Sequence, residues 1–234
     1  MSVPAADRDR LRALAEAKGA ELEGAHPAEI LGWAAVEFGD ALCVTSSMGD
    51  GLVAHLAARA MPGIDVIFLD TGYHFAETIG TRDAVAATLP VTLVSVTPRQ
   101  SVAEQDARYG PRLYERDPDR CCALRKVEPL ARALAPYHAW ASGVRRDEAV
   151  TRRAVRVVEW DERRGLVKVN PLAAWTQAEV DRYVAAHGVL VNPLTDDGYP
   201  SIGCAPCTRR VAPGEGSRSG RWAGQGKTEC GLHG

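Results

Sequence analysis

The sequence predicts an α/β fold: a mostly parallel sheet with helices on both faces. Short apolar runs recur at 41–47 (ALCVTSS), 65–72 (DVIFLDTG), 91–97 (VTLVSVT) and 139–144 (AWASGV), each suited to a buried strand. Helical spacing separates the runs, and that alternation is the mark of a parallel sheet covered by helices. The polar turns at 46–51, 70–75 and 143–148 fall where such strands end, the side of the sheet on which α/β folds bind ligands.

The elements follow in order. Residues 11–18 form a helix rich in Ala, Leu, Arg and Glu, and 26–39 (HPAEILGWAAVEFG) form a second that stops at Gly39. After the first strand run and its glycine-containing turn, helical spacing resumes over 51–60. The second run ends in an acidic turn and leads into a helix over 75–89. Asp117 is placed to cap a helix with Pro118 in its first turn, and Pro129 to kink it. Past Ala174, an amphipathic helix spans 175–188 with Thr176 as its N-cap. From Asn192 onward the chain is rich in Gly, Pro, Ser and Arg, and 212–234 reads as a flexible tail. That tail nevertheless carries Trp222, Cys230 and His233, residues uncommon in idle linkers. The expected division is 1–40, N-terminal helices; 41–211, the main domain; 212–234, a mobile tail.

Composition narrows the function classes. With 46% hydrophobic and 25% charged residues the chain reads as soluble and globular. A net charge of −2 implies no broad basic face for nucleic acid, leaving local arginine clusters open, and no run approaches the ~18 apolar residues of a membrane helix. The start has no signal-peptide core, so the expected compartment is the cytoplasm, where thiols stay reduced. Six cysteines in that setting point to metal binding or thiol chemistry.

Two of them are adjacent. Cys121 and Cys122 stand in RCCALRKVEPL, and a disulfide between neighbours is disfavoured because their Cα atoms lie only ~3.8 Å apart. Cys204 and Cys207 stand in SIGCAPCTRR, a C-x-x-C bounded by glycine and proline. Together the segments offer four thiolates. A zinc ion accepts four, although adjacent ligands must then reach a single atom; a cubane iron–sulfur cluster offers four separate irons. Spacing favours the cluster. Lys126, four residues after Cys122, falls on the same helical face and could offset the site's negative charge or reach an anionic substrate; otherwise it is a solvated lysine.

Cys230 stands apart in TECGLHG, with His233 three residues on and Arg218 and Arg221 shortly before it. A thiol among cations favours the nucleophilic thiolate, and the arginines suit a sulfate or phosphate; otherwise it is an incidental terminal cysteine. Cys43, inside an apolar run, reads as a small core residue. VTSSMGDG (44–51), between strand and helix, is a phosphate-binding position but lacks the ending of a Walker A loop. Asp70 in DTGYHF could hold a ribose hydroxyl or merely cap the next turn.

In this order, the PP-type loop, DTGYHFAET, CCALRKVEPL, GVRRDE, VNPLAAWT, GYPSIGCAPCT, SGRW and KTECGLH resemble the assimilatory adenylyl-sulfate reductases, within the wider phosphoadenylyl-sulfate reductase family. The resemblance runs from about 41 to 233. It implies an adenine-nucleotide α-hydrolase-like fold, a 4Fe–4S cluster on Cys121, Cys122, Cys204 and Cys207, and a nucleophile at Cys230. Lys126 corresponds to a lysine between cluster and sulfate. Arg218, Arg221 and His233 match positions facing the sulfate or the thiol. Ser46, Leu69, Asp70, Thr71 and Gly143 fall in nucleotide-contacting segments, and Arg145 and Arg146 in an arginine motif near the substrate. The implied reaction is reduction of adenylyl sulfate to sulfite and AMP, with thioredoxin or a similar dithiol protein as partner. No nucleic acid or membrane partner is expected, and a homo-oligomer stays open.

The PP loop departs from its usual S-G-G-x-D-S. Ser46 and Asp50 fit, but Ser47 and Met48 replace the glycines and Gly51 the last serine, which argues against ATP pyrophosphatase chemistry. Three rivals stand beside this reading: reduction of the 3′-phosphorylated nucleotide, a tRNA-thiolating PP-loop enzyme, and a non-enzymatic zinc-stabilised module.

Overall fold

The structure, a computed structural model, describes residues 5–233. Six strands form one sheet in the order β3-β2-β1-β4-β6-β5. These are β1 (Leu42–Thr45), β2 (Asp65–Leu69), β3 (Thr92–Val96), β4 (Ala139–Ser142), β5 (Val158–Asp161) and β6 (Leu166–Val169). All neighbours run parallel except β5, which pairs antiparallel with β6 at one edge. The four apolar runs thus became β1 to β4. The β5–β6 hairpin has no counterpart among the expected elements.

Nine α-helices surround this sheet among the described residues: α1 (Ala5–Glu21), α2 (Pro27–Phe38), α3 (Leu52–Ala60), α4 (Ala76–Thr88), α5 (Val102–Tyr109), α6 (Leu113–Arg116), α7 (Pro118–Cys122), α8 (Glu128–Leu134) and α9 (Gln177–His187). The expected N-caps are present. Asp117 accepts from Arg120 N at 2.9 Å, and Thr176 forms a capping box with Glu179. α1 lies on β5 and β6, where Gly19 permits the close approach: a Cβ there would collide with the Val158 carbonyl oxygen. No helix among the described residues is long and apolar enough to cross a membrane.

Alternation along the central strands builds a core on each face. Leu42 and Val44 join Phe68, Ala139, Ala141 and Val167 in the larger core. Cys43, Ile67 and Trp140 turn the other way and pack with Leu130 and Leu134 of α8. Cys43 is completely buried, and that burial, with Asp65 nearby, pushes its thiol far up; it is the core residue its surroundings implied.

The chain winds outward from β1 through β2 to β3, then returns to place β4 on the other side of β1. At that reversal the connections leave in opposite directions, and a crevice opens beyond the carboxyl ends of β1 and β4. The last stretch, without long elements, folds across this end. It is held by an antiparallel bridge between Thr208 and Arg221 and by Trp222, which is buried.

Candidate active site

The turn after β1 is fixed by its own side chains. Ser46 Oγ accepts from Met48 N at 3.2 Å, Asp50 Oδ1 accepts from Leu52 N at 3.0 Å at the start of α3, and Asn192 Nδ2 donates to the Met48 carbonyl at 3.0 Å. Met48, where the usual loop has glycine, keeps a left-handed backbone (φ 57°) while its side chain is wholly buried. Burial raises the Asp50 carboxyl above its ordinary value.

From this turn a cleft of about 310 Å³ runs along the strand ends. It is lined by Ser46, Asp50, Leu69, Gly143 and Arg145, and also by Lys126, Arg218, Arg221, Cys230 and His233. Arg145 is buried, donates to Gln177 Oε1 at 2.5 Å, and leaves its Nε without a partner. His74, unremarked in the sequence, also faces the cleft; Nε2 donates to the Leu69 carbonyl at 2.8 Å, and burial lowers its pKa.

Three expected substrate contacts lie elsewhere. Arg146 is turned toward the loop after α1, pairing with Glu23 at 2.5 Å and donating to the Val155 carbonyl at 2.6 Å. Arg145 is extended but Arg146 opens a tight turn (146–148), and only Arg145 lines the cleft. Asp70 caps its own turn, accepting from Gly72 N at 3.1 Å, and faces Arg82 at 3.6 Å. Thr71 is fully buried behind the strand end, its hydroxyl 3.3 Å from Cys204 Sγ.

Beyond Thr71 lies a second chamber, and Lys126 and Trp222 line both it and the cleft. Cys121, Cys122, Cys204 and Cys207 line one void with Tyr73, Tyr114 and Trp222, and Lys126 lies on the wall between void and cleft. The cysteine pair ends α7, after which Ala123–Val127 widens into a π-turn closed by Glu128 N on the Ala123 carbonyl. Pro129 follows immediately. Its ring would clash with the Arg125 carbonyl of a regular helix, so the expected kink takes the form of this wider turn. Arg125 is buried below it, donating to the Thr71 carbonyl at 2.6 Å and Gln105 Oε1 at 2.9 Å. The second pair rests on a short turn in which Cys207 N donates to the Cys204 carbonyl at 2.9 Å and Trp222 N to the Cys207 carbonyl at 3.0 Å.

Burial, then the charge of neighbouring cysteines, pushes Cys121 up to about 12 and Cys207 up to about 11. Cys122 is raised by burial against the pull of Lys126. For Lys126, burial acts to lower the pKa but is outweighed by Cys204 and Cys230, so the ammonium is favoured. Four thiols around one void, with Arg125 and Lys126 also lining it, are a donor set suited to a cationic metal centre. No group of three or more His, Cys, Asp or Glu side chains among the described residues is arranged to hold a single metal ion.

The tail brings Cys230 to the cleft by contacts on both of its sides. Glu229 is gripped by Arg152, Arg218 and Thr151. Arg163 donates to the Gly231 carbonyl at 3.2 Å and Arg164 to the Leu232 carbonyl at 3.0 Å. The His233 ring stacks on Trp140. Burial, then Lys168, Arg152, Arg164 and Arg218, holds that imidazole well below its ordinary pKa, so it is neutral. Upstream, Lys227 pairs with Asp119 of α7, tying the tail to the helix of the cysteine pair. Arg152, Glu148 and Trp140 were not singled out from the sequence; the arginine-rich stretch at 152–156 was the available signal for the first.

A family model described as phosphoadenosine phosphosulfate reductase domain matches residues 41–210. The chain belongs to the phosphoadenosine phosphosulfate reductase family. Within this family it is 66% identical to an adenosine 5′-phosphosulfate reductase of Streptomyces coelicolor, over 97% of this chain and 96% of the relative. It is 54% identical to the enzyme of that name from Mycolicibacterium smegmatis, over 99% and 98%. Among solved structures, phosphoadenylyl-sulfate reductase from Candida auris, a phosphate complex, superposes with a TM-score of 0.72 at 30% identity, covering 90% of this chain and 99% of the other. The FMN adenylyltransferase of Candida glabrata, at 10% identity and TM-score 0.57, shares the fold alone.

Proposed function

We propose that this family member reduces adenylyl sulfate to sulfite and AMP, with Cys230 as nucleophile. The observation that carries the reading is that Cys230, Lys126, Arg218 and Arg221 line the same cleft as the β1 turn. The names of the relatives at 66% and 54% identity support the unphosphorylated nucleotide as substrate. The nucleotide would lie along Ser46, Leu69, Gly143 and Arg145, with its sulfate toward the cations. Sulfate and thiolate repel each other, and Lys126, Arg218 and Arg221 screen that repulsion as charge develops.

Cys230 Sγ attacks the sulfate sulfur; an S–S bond forms, the S–O bond to phosphate breaks, and AMP leaves with the electron pair. The product on the chain is Cys–S–SO3⁻. A dithiol protein such as thioredoxin then attacks Sγ, and sulfite departs with the S–S pair. The partner's second thiol closes its own disulfide and returns Cys230, so both electrons come from the dithiol. The second step requires that Cys230 leave the cleft, so within the 212–234 tail the part that moves is the stretch after Trp222, a residue pinned to Cys207.

Cys121, Cys122, Cys204 and Cys207 would hold the 4Fe–4S cluster, whose chemistry when bound is structural and electrostatic rather than electron transfer. Lys126, which lines both the cysteine void and the cleft, would be the cation between cluster and substrate. A cytoplasmic setting, where such thiols stay reduced, accords with this assignment.

Incubation with adenylyl sulfate without reductant should leave one sulfite adduct on Cys230 and release one AMP, with thioredoxin then freeing sulfite. Cys230→Ser should bind nucleotide but form no adduct. Peptide mass mapping that finds the adduct on another cysteine overturns the assignment.

A further inference from the structure

Glu229, the neighbour of the proposed nucleophile, is held from three directions. Arg152 grips it with two parallel bonds, Nε to Oε1 and Nη2 to Oε2, both 2.8 Å. Arg218 Nη2 adds a contact to Oε2 at 3.2 Å and another to the Thr228 carbonyl at 3.1 Å. Thr151 Oγ1 donates to Oε1 at 3.1 Å. Arg152 continues to Glu148 at 2.5 Å, so the clamp is anchored in the turn after β4 rather than in the tail. The Arg152 side chain is 11% exposed and that of Glu229 27%, sheltered enough for a two-pronged ion pair to be strong. Burial would raise the Glu229 pKa, but Arg152 and Arg218 outweigh it and hold the carboxylate ionised.

The contacts on the far side of Cys230 are weaker in kind. They are single bonds to backbone carbonyls and one ring stack. Glu229 is therefore the charged fixing point next to Cys230, with the Lys227–Asp119 pair a second one upstream. Arg218 is also a cation assigned to the substrate sulfate, so one guanidinium faces both the carboxylate and the position of the reacting group.

We propose that Glu229 is a positioning residue that latches the tail: its grip by Arg152 and Arg218 sets Cys230 at the cleft, and the sulfonate formed on Cys230 competes for those arginines and loosens the latch. This rests on the proposed Cys230 chemistry. Sulfonation adds to the Cys230 sulfur an anionic group bearing three acceptor oxygens, one residue from Glu229. Both anions then draw on one arginine pair. The closed tail thus favours the first half-reaction, and its product favours the opening needed for the second.

The test uses the full chain and three readouts: hydrogen exchange of the tail peptide 223–233, single-turnover AMP release at saturating adenylyl sulfate, and AMP affinity. Glu229→Gln should speed tail exchange and slow AMP release, each by about tenfold or more, the size of one lost charge-assisted pair. AMP affinity should stay within about twofold. Arg152→Gln should shift tail exchange and AMP release in the same directions, and the double variant should fall short of the sum of the two, because they share the Arg152–Glu229 pair. Wild-type chain sulfonated on Cys230 should exchange its tail faster than unmodified chain. Unchanged tail exchange in both single variants overturns the latch. Exchange in the sulfonated chain as slow as in the unmodified one overturns its release by product. Absence of any adduct in wild type defeats the functional reading instead, and tail exchange in the variants still decides the latch.

Discussion

The His233 imidazole lies parallel to the Trp140 indole, ring centres 5.9 Å apart and planes 10° from coincidence. Trp140 belongs to β4, so the end of the chain is docked against the centre of the sheet. The positive charges of Lys168, Arg152, Arg164 and Arg218 all act against a charge on the ring, and protonating it adds a fifth.

Tail docking should therefore depend on pH. A histidine held neutral by burial contributes docking energy that is complete above its ordinary pKa of 6.5 and is lost as pH falls below it. Glu229, with its pKa depressed from 4.5, contributes energy that persists until pH falls below that value. Hydrogen exchange of the tail, corrected for its intrinsic pH dependence, should rise first below about pH 6.5 and again below about pH 4.5. His233→Phe should abolish the first rise and keep the second. A first rise that survives this substitution would assign it to another group.

Replacing Cys122 by serine should abolish iron retention, absorbance near 400 nm and activity together, because a cubane needs four thiolates. Iron analysis and the visible spectrum of the purified variant are the check. A full iron complement with normal turnover would remove Cys122 from the ligand set.

Lys126→Ala should keep iron and nucleotide binding but lower single-turnover AMP release by about 10² or more, the range for removing one charge-stabilising group. Lys126 lies on the wall shared by void and cleft, so its loss should leave the cysteine void formed. An unchanged rate would make it a structural counter-charge for the cysteines.

Met48 sets two effects against each other. Glycine at 48 relieves a left-handed residue, worth about 1–3 kcal/mol. It also deletes a fully buried side chain, at a cost of about 2–5 kcal/mol. The cavity should win, so Met48→Gly should lower stability by roughly 1–2 kcal/mol in urea unfolding. A gain in stability would show that backbone strain dominates the β1 turn.

Much of this arrangement could be read along the chain. β1 to β4 are apolar runs because they are buried, and the cysteine set is legible because its spacing is itself the chemistry. β5 and β6 escaped notice because they are four residues each and place Glu159 opposite Lys168, an ion pair at 2.8 Å, where an apolar run would be expected. Arg146 and Asp70 were assigned by motif, but their directions depend on Glu23 and Arg82, partners no local pattern reveals. The Arg152–Glu229 clamp joins positions 77 apart, and a pairing over that span has no sequence signature.

The strand order bears on how the chain is made. β1 lies in the middle of the sheet, yet its partner β4 follows late: Cys43 and Ala139, in contact across that pair, are 96 residues apart. At a synthesis rate of about 5–20 residues per second, β1 waits roughly 5–20 s after emerging before β4 can cover it. For that interval the future centre of the sheet is an open edge with bare backbone donors and acceptors, the kind of surface on which nascent chains associate. Slowing translation between β3 and β4 lengthens the exposure, so codon choice in that stretch acts on the yield of folded protein without altering a single contact.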